Sequence, residues 1–490
     1  MPVARFAEAP AITRGAARPT KTPARGAART TKATADGAAR HHEGVPMPDR
    51  RAPRPTRREL LAAAGGSAIA AALPAAAGAA PAGAAPAGAA PSGRRDRWVA
   101  TWGAMPQLTE PGNMPPAAFI RDGVVLPDTT LRQTLRVTVG GGPVRLRFSN
   151  AFGGADLPLS AVRIALPAGG KAGVAAIQEG TSRPVTFRGR PATVVPMGAQ
   201  VVSDPIAMDL APGSIVTVTV HLAEGQASTS ITSHPGSRTT SYLLAGAHVD
   251  DTDLPGATPV DHWYFLSGLE VLPTAPAHAL VLLGDSLTDG RGSTTNGNNR
   301  WPDQLFDRLQ ALPRLRDVAL VNEAAGGNRV LRDGLGPNAL ARLDRDVLAQ
   351  TGAAWLIVFE GVNDIGTAPA TTADQQRITD ELLFAYDQIV LRCHAQDLVV
   401  CGATLLPFGG NEGYDDAGGL REQSRRTVND WIRGSGVFDV VADFDAAVRD
   451  PRDPRRLLAE YDTGDHLHLN PAGYRALADA VPLRLFATLP

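Results

Sequence analysis

The amino-acid sequence predicts two folded domains of different class: an all-β sandwich of jelly-roll type, followed by a three-layer α/β domain with a parallel sheet. Between residues 97 and 272, apolar and polar residues alternate with a period of two, and clusters of Gly and Pro separate the runs. From residue 278 to residue 489, apolar runs alternate instead with helical stretches, which is typical of a parallel sheet covered by helices on both faces. A chain of 490 residues is also too long for one ordinary core.

Composition and charge narrow the classes of function. The net charge is −1, so the basic footprint of a nucleic-acid-binding protein is not indicated. Hydrophobic residues make up 43% of the chain, which is enough for globular domains. The 2 cysteines, Cys393 and Cys401, are too few for a disulfide framework, and we expect two buried thiols. The sequence leaves the oligomeric state open.

The N-terminal region is predicted to lie outside the folded domains. Residues 1–55 contain almost no large apolar residues, so we expect a disordered extension, and Met47 is a candidate for the true start of translation. Residues 56–82 place a pair of arginines before a mildly apolar, Ala-rich run and resemble a Tat export signal. A spanning helix is disfavoured because this run contains Gly and Pro and few Leu or Ile residues. Residues 83–96 are read as an Ala/Pro/Gly linker, and we expect the mature protein to be secreted from a bacterium.

The β domain is predicted from its strands rather than from any single motif. In residues 144–148 the apolar side chains fall on one face and the arginines on the other, and residues 216–222 alternate in the same way. The function of this domain stays open between a structural role, carbohydrate binding and a wall of the substrate cleft. Asn150 and His234 fall in predicted loops, and neither is assigned a role.

The α/β domain is predicted to place its functional residues at one edge of the sheet. In a parallel sheet, ligands bind beyond the carboxyl ends of the strands. The predicted strands are 279–283, 318–322, 355–360, 398–404 and 438–443, and the predicted helices are 301–311, 338–350, 371–396, 418–433 and 471–488.

Polar residues suited to nucleophilic catalysis follow these strands. Ser286 comes just after the first strand, and a serine nucleophile needs a base and donors for an oxyanion. Gly327, after the second strand, allows close approach of the backbone, and Asn363, after the third, offers a side-chain amide. Asp465 precedes His468 by three residues on a short loop, where a carboxylate can hold the imidazole tautomer.

Each of these features has a simpler interpretation when taken alone, such as a turn, a helix cap or a solvated loop histidine. Their joint occurrence at successive strand ends favours the catalytic interpretation. His466 is the rival to His468 as the base. Asp289 and Asp364 are acidic neighbours of the site, and we interpret both as loop caps.

With these residues in place, the sequence resembles the SGNH (GDSL) hydrolase superfamily. The four matching blocks are Gly284-Asp285-Ser286-Leu287, Gly327-Asn328, Gly361-Val362-Asn363-Asp364 and Asp465-His466-Leu467-His468. The resemblance implies a flavodoxin-like three-layer fold. More narrowly, the chain is similar to secreted bacterial esterases that carry an N-terminal β domain, through residues 98–102, 146–153 and 299–303.

The resemblance also implies a role for each residue. Ser286 would be the nucleophile, His468 the base and Asp465 the residue that orients it. The oxyanion donors would be the backbone N–H groups of Ser286 and Gly327 and the side chain of Asn363. The Asp-x-x-His spacing of the family favours His468 over His466.

The implied activity is hydrolysis of carboxylic esters through an acyl-enzyme, with no metal or organic cofactor. The expected partner is an ester substrate, with acyl, acetyl or phenolic esters of carbohydrates favoured by the export signal and the β domain. The alternatives are a lipase or thioesterase of the same fold, or a non-catalytic carbohydrate-binding protein.

Overall fold

A computed structural model describes residues 97–487, which fall within a single compact unit. The predicted disordered extension, the Tat-like signal and the predicted linker all lie outside the described residues. Within residues 97–487, none of the helices combines the length and the apolar character needed to cross a bilayer.

The first part of the described chain is a β-sandwich, as the sequence predicts. Its strands are β1 Val99–Gly103, β2 Gln107–Leu108, β3 Ile120–Arg121, β4 Val124–Val125, β5 Thr129–Arg136, β6 Val144–Ser149, β7 Leu157–Leu159, β8 Ala161–Ala165, β9 Arg183–Val185, β10 Thr193–Val195, β11 Gln200–Val202, β12 Ile215–Leu222, β13 Thr232–His234, β14 Ser241–Ala245, β15 Thr258–Val260, β16 Trp263–Tyr264 and β17 Leu266–Val271. Antiparallel pairing gives a four-stranded sheet, β1-β17-β6-β11, and a six-stranded sheet, β15-β14-β5-β12-β8-β9. Leu146 and Leu269 of the first sheet share one buried core with Leu135 and Val218 of the second.

Alternation of side chains along β6 shows why this region forms strands. Val144, Leu146 and Phe148 are buried in the core, while Arg145 and Arg147 point away from it. Both arginines form ion pairs with the buried carboxylate of Glu270 on the neighbouring strand β17. A one-residue shift in register would place these charges in the core, so the pattern fixes the pairing.

The second part of the described chain is a parallel sheet covered by helices. Its strands are β18 His278–Gly284, β19 Val318–Asn322, β20 Ala353–Phe359, β21 Val399–Ala403 and β22 Val440–Ala442. Its helices are α1 Ser286–Asp289, α2 Trp301–Gln310, α3 Ala339–Leu343, α4 Val362–Thr367, α5 Thr372–His394, α6 Leu420–Gly434, α7 Phe444–Val448 and α8 Pro471–Ala480. The strand order β19-β18-β20-β21-β22 is the flavodoxin-like order, which confirms the predicted fold class.

The helices differ from the predicted ones in five places, two of which are the short helices α4 and α7, where no helix is predicted. The stretch 338–350 divides into α3 and a π-helical turn, Asp344–Leu348. The stretch 471–488 divides into α8 and a 3-10 turn, Leu483–Phe486. Helix α1, which the sequence pattern does not reveal, follows β18 directly; its four residues are too short to show an apolar period.

The β domain packs against the edge of the parallel sheet. Strand β19 is an edge strand, and the Thr138 hydroxyl bonds to both backbone groups of Leu320 there, at 3.0 Å from the N–H and 3.3 Å from the C=O. Ala279, Ala319 and Val321 of the parallel sheet belong to the hydrophobic core of the β domain. Since an uncovered edge strand invites pairing with other chains, the β domain protects this edge.

Cys393 and Cys401 are both free and buried. Burial raises the pKa of each thiol to about 12, so neither carries the thiolate that reactive cysteines need.

Candidate active site

Ser286 lies at the point in the sheet where strand order reverses. Strand β18 pairs with β19 on one side and β20 on the other, and the chain leaves β18 at Gly284. The carboxylate of Asp285 then accepts a bond from the Leu287 N–H at 3.0 Å and caps α1. Ser286 is the first residue of this helix and is 7% exposed, so the turn presents its hydroxyl beyond the strand end.

Gly284 is required by close packing at this turn. A Cβ atom on Gly284 would lie 2.5 Å from the Thr288 hydroxyl and 2.9 Å from the Phe359 carbonyl oxygen. Any larger residue would therefore move the turn that holds Ser286.

Ser286, His468 and Asp465 form a continuous chain of hydrogen bonds. The Ser286 Oγ lies 2.9 Å from His468 Nε2, and His468 Nδ1 lies 2.6 Å from Asp465 Oδ2. The other oxygen of Asp465 accepts bonds from the backbone N–H groups of His468, at 2.8 Å, and Leu467, at 3.0 Å. Because an ionised carboxylate only accepts, Nδ1 carries a proton and the neutral ring turns its lone pair at Nε2 toward the serine.

The electrostatics of the pair suit a neutral base beside a charged carboxylate. Burial lowers the pKa of His468, Asp465 opposes this shift, and the charges of Arg291 and Arg238 add to it. For Asp465, burial acts to raise the pKa, but the backbone N–H of His468 and the His468 ring outweigh it and bring the pKa to about 2. At neutral pH, His468 is therefore largely neutral and Asp465 ionised.

The loop after β19 brings a backbone N–H close to the serine turn. Gly327 adopts a left-handed conformation, with φ of 72°, that an L side chain rarely adopts. The Ala325 N–H bonds to the Gly284 carbonyl oxygen at 3.0 Å and ties this loop to the end of β18. Within residues 97–487, the N–H groups of Ser286 and Gly327 have no protein acceptor, so both can donate to a ligand.

The amide of Asn363 is oriented from two sides. Its Oδ1 accepts a bond from the Tyr414 hydroxyl at 2.6 Å, and its Nδ2 donates to the Asn328 carbonyl oxygen at 2.7 Å. A side-chain amide carries two donor hydrogens, so the second remains for a ligand oxygen. Asn363 is 3% exposed and sits in the first turn of α4, next to the loop that carries Gly327.

Arg342, which sequence reasoning missed, holds the strand ends together. Its buried guanidinium donates to the carbonyl oxygens of Glu323 and Gly284 and to the Asn328 side chain, and it pairs with Glu360 at 3.3 Å. It thereby connects the ends of three strands that carry site residues. One sign of this role was present in the sequence: Arg342 lies in the predicted helix 338–350, four residues before Asp346, with which it forms an ion pair.

His466 and Asp364 stand apart from the reacting groups. His466 bonds through Nδ1 to Asp462 at 2.6 Å, and its side chain is 43% exposed. Asp364 accepts the backbone N–H groups of Val330, at 2.8 Å, and Leu331, at 3.0 Å, so it fastens a loop. In the structure, therefore, His468 rather than His466 lies within hydrogen-bond distance of Ser286.

The interpretation of Asp289 as a loop cap is wrong. Its carboxylate is buried and lies 3.0 Å from Nε2 of His234, which belongs to strand β13 of the β domain. The prediction that His234 lies in a loop is also wrong, because His234 belongs to a buried strand. Nothing in the local sequence signals this contact, because its two partners are 55 residues apart and in different domains.

A family model matches the C-terminal part of the described chain. Residues 282–476 match the GDSL-like lipase/acylhydrolase family. No curated protein matches the chain.

Solved structures similar to the chain include an acetylxylan esterase from Geobacillus stearothermophilus, with 23% identity over 43% of this chain and 94% of that one and a TM-score of 0.32. They also include an alpha/beta hydrolase from the metagenome of Lake Arreo, Spain (21% identity, 44% and 98% covered, TM-score 0.33). A GDSL-like lipase from Bacteroides thetaiotaomicron has 15% identity, with 43% and 89% covered and a TM-score of 0.32. At these identities the likeness says nothing about substrate.

The family match, with the flavodoxin-like sheet, defines the class of the protein. Its C-terminal domain belongs to the SGNH/GDSL hydrolase superfamily, and the protein is an ester hydrolase of that class.

Proposed function

We propose that the protein is a secreted serine esterase that works through a Ser286-His468-Asp465 triad and an acyl-enzyme. The observation that carries the proposal is the relay of hydrogen bonds, 2.9 Å from Ser286 Oγ to His468 Nε2 and 2.6 Å from His468 Nδ1 to Asp465. This order of groups is the one that lets a histidine remove the serine proton while a carboxylate stabilises the imidazolium.

In the first half of the reaction, Ser286 Oγ attacks the ester carbonyl carbon as His468 Nε2 takes its proton. Negative charge collects on the carbonyl oxygen, and the N–H groups of Ser286 and Gly327 and the free amide hydrogen of Asn363 stabilise it. His468 then gives its proton to the alcohol oxygen as the carbon–oxygen bond breaks. The alcohol leaves, and the acyl group stays on Ser286.

In the second half, water replaces the alcohol. His468 takes a proton from water as its oxygen attacks the acyl carbon, and the same three donors stabilise the second oxyanion. The acyl–serine bond breaks, His468 returns the proton to Ser286, and the carboxylic acid is released. Atoms and charge balance without any metal or organic cofactor.

The substrates we propose are acyl, acetyl or phenolic esters of carbohydrates. Leu335, which is 50% exposed, lies beside Gly327 and offers an apolar contact for the acyl group. A lipase or thioesterase of the same fold is the second candidate, since the triad alone does not select the acyl group. A non-catalytic carbohydrate-binding protein is disfavoured because the family match is to lipases and acylhydrolases.

The test is hydrolysis of p-nitrophenyl esters, from acetate to long acyl chains, by protein that begins near Arg94. We expect the wild type to prefer short chains and Ser286→Ala to lose the activity. A preference for long chains would favour a lipase instead. If the wild type hydrolyses no ester faster than Ser286→Ala, the binding protein becomes the better interpretation.

The proposal of export rests on the twin arginine at Arg57-Arg58 and the apolar run that follows it. We expect a reporter fused after residue 96 to leave the bacterial cytoplasm, and replacement of both arginines with lysine to retain it inside. Equal export of the two fusions would contradict a Tat signal.

A further inference from the structure

Asp289 lies on the same side of α1 as Ser286. The helix has four residues, of which Ser286 is the first and Asp289 the last, and side chains three residues apart share one face of a helix. Both residues are buried, and Asp289 is only 1% exposed. A contact that holds Asp289 therefore also acts on the turn that presents Ser286.

Helix α1 is too short to fix its own orientation. One helical turn gains few hydrogen bonds for the backbone that it orders, so a helix of this length depends on its surroundings. Thr288 is tied to the hydrolase domain, since its carbonyl oxygen accepts the Asn322 amide at 3.1 Å and its hydroxyl accepts the Trp301 indole N–H at 3.2 Å. Asp289, by contrast, is tied to the β domain.

The carboxylate of Asp289 stands where three segments of the chain meet. Its Oδ1 lies 3.0 Å from Nε2 of His234, at the end of β13. A Cβ atom on Gly236 would collide with its Oδ2, and one on Gly326 would lie 3.6 Å from the same oxygen. The carboxylate therefore borders the serine turn, the β-domain segment that follows β13 and the loop after β19.

His234 supplies the hydrogen bond of this carboxylate. Within residues 97–487, Oδ2 of Asp289 has no hydrogen-bond partner, and a guanidinium nitrogen of Arg238 lies 3.7 Å from it, beyond hydrogen-bond distance. A buried polar group that loses its partner is costly, so without His234 the carboxylate would have to move toward another partner or toward solvent. Either movement would displace α1.

His234 is itself held in a fixed position. Its Nδ1 lies 3.1 Å from the Met105 carbonyl oxygen, and its backbone pairs with Trp263 of β16. The centroids of the two rings are 5.7 Å apart, and the Trp263 indole donates to the Thr134 carbonyl oxygen at 3.0 Å. His234 is 4% exposed, so it has little room to move. Its imidazole thus links a rigid part of the β domain to Asp289.

The hydrogen bond between Ser286 and His468 is sensitive to the position of α1. The Ser286 Oγ lies 2.9 Å from His468 Nε2, and a hydrogen bond weakens steeply beyond its ordinary length. A displacement of about 1 Å in an active site can lower the rate by about a hundredfold. Movement of α1 would shift both the hydroxyl and the N–H of Ser286, so it would affect the attack on the ester and the stabilisation of the oxyanion together.

We propose that His234 is a positioning residue of the esterase. Through Asp289 it sets the orientation of α1, and with it the position of the hydroxyl and the N–H of Ser286. The β domain is then part of the catalytic unit, because it supports the serine turn from the side of Asp289. This inference rests on the proposed esterase function and adds a residue of the β domain to the groups that the reaction needs.

The test compares two variants that differ by one methylene group. His234→Gln places an amide near the position of Nε2, within reach of Asp289, while the shorter His234→Asn reaches only the position of Nδ1, beside Met105. Asp289→Leu removes the same hydrogen bond from the other side. Thr138→Val is the matched control, because Thr138 is also buried and bonds across the domain boundary, to Leu320 of β19.

Each variant is assayed for kcat and KM with p-nitrophenyl acetate and for its rate of inactivation by diethyl p-nitrophenyl phosphate, which reports on Ser286 directly. Urea unfolding gives the stability of each variant. We expect His234→Asn and Asp289→Leu to lower kcat and the inactivation rate by about 10–100-fold, with KM within about twofold, because the nucleophile is displaced while the substrate contacts remain. His234→Gln should recover most of this loss, and Thr138→Val should keep the wild-type kcat even where it loses as much stability.

The effects of the two partners should also be coupled. The double variant His234→Asn/Asp289→Leu should be as slow as the slower single variant, within about twofold, because both changes break the same link. If His234→Asn does not fold, the comparison of Asp289→Leu with Thr138→Val answers the same question.

A wild-type kcat in His234→Asn or in Asp289→Leu would overturn the inference, as would an activity of His234→Gln as low as that of His234→Asn. Losses that add in the double variant, or an equal loss of kcat in Thr138→Val, would also overturn it. All of these results leave the esterase function intact. Absence of hydrolysis of every p-nitrophenyl ester by the wild type would instead remove the proposed function itself.

Discussion

At the scale of single residues, the proposed reaction depends on the two ring nitrogens of His468. One donates to Asp465 and the other faces Ser286, so the protonation state of one ring decides whether the site can act. The sequence could point to these residues because Ser286 follows the end of a strand and Asp465 precedes His468 by three residues on a short loop. It could not point to Asp289 and His234, because their contact joins distant parts of the chain.

The pH dependence follows from the lowered pKa of His468. Only the neutral ring accepts the serine proton, and since burial lowers its pKa below the ordinary value of about 6.5, activity should survive to weakly acidic pH. We expect kcat/KM for p-nitrophenyl acetate to rise to a plateau with its midpoint below about 6.5. In Arg291→Gln, which loses a charge that lowers this pKa, the midpoint should move to higher pH. A profile that is highest in strong acid would contradict His468 as the base.

Asn363 provides a second prediction for a single residue. Asn363→Ala removes one of the proposed oxyanion donors and should cost about 3 kcal/mol, or about 10²–10³ in kcat, with folding retained. Tyr414→Phe is a matched control, since it removes the hydroxyl that orients the amide but keeps the donor. It should lose less activity. An unchanged rate in Asn363→Ala, measured with its circular dichroism, would exclude Asn363 from the oxyanion hole.

At the scale of elements, the loop after β19 depends on the left-handed conformation of Gly327. The strands and long helices could be predicted because their apolar periods extend over several residues. The short helix α1 and the π-helical turn Asp344–Leu348 could not, because they are set by capping and packing. Arg342 belongs with these, since its ties to Gly284 and Glu323 are made by tertiary structure alone.

Neighbouring glycines in this loop give a matched pair of variants. In Gly327→Ala, the new Cβ would lie 2.4 Å from the Leu335 side chain, and φ of 72° is strained for alanine. In Gly326→Ala, the nearest atom to the new Cβ is Asp289 Oδ2 at 3.6 Å, an ordinary contact. We expect Gly327→Ala to lower kcat strongly and Gly326→Ala to have little effect. Equal activity of the two variants would show that the N–H of Gly327 is not used.

At the scale of the whole molecule, buried ionisable side chains lie at the ends of the parallel strands. Burial raises the pKa of Glu360 to about 7 although Arg342 opposes the shift, and burial also raises the pKa of Asp364 to about 6. Composition predicts neither this network nor the packing of the β domain on the edge of the parallel sheet. Both arise from contacts between segments that are far apart in the sequence.

The buried Glu360 makes stability depend on pH. Its pKa is higher in the folded protein than in the unfolded chain, so the folded protein binds more protons between about pH 4.5 and about pH 7 and loses stability as pH rises through that range. In Glu360→Gln, the free energy of unfolding should fall by about 2–3 kcal/mol less over this pH range than in the wild type. Urea unfolding at several pH values measures this difference. Glu381→Gln, on the exposed face of α5, is the control. An unchanged pH slope in Glu360→Gln would show that Glu360 is ionised in the folded protein.

The central claim is that Ser286 becomes acylated during catalysis. The most direct measurement is labelling with diethyl p-nitrophenyl phosphate, followed by mass spectrometry of the peptides and assay of the remaining ester hydrolysis. We predict one diethylphosphoryl group per chain, attached to Ser286, with activity lost in proportion to labelling and no label in Ser286→Ala. Full labelling of another residue, or hydrolysis that survives complete labelling of Ser286, would contradict the account.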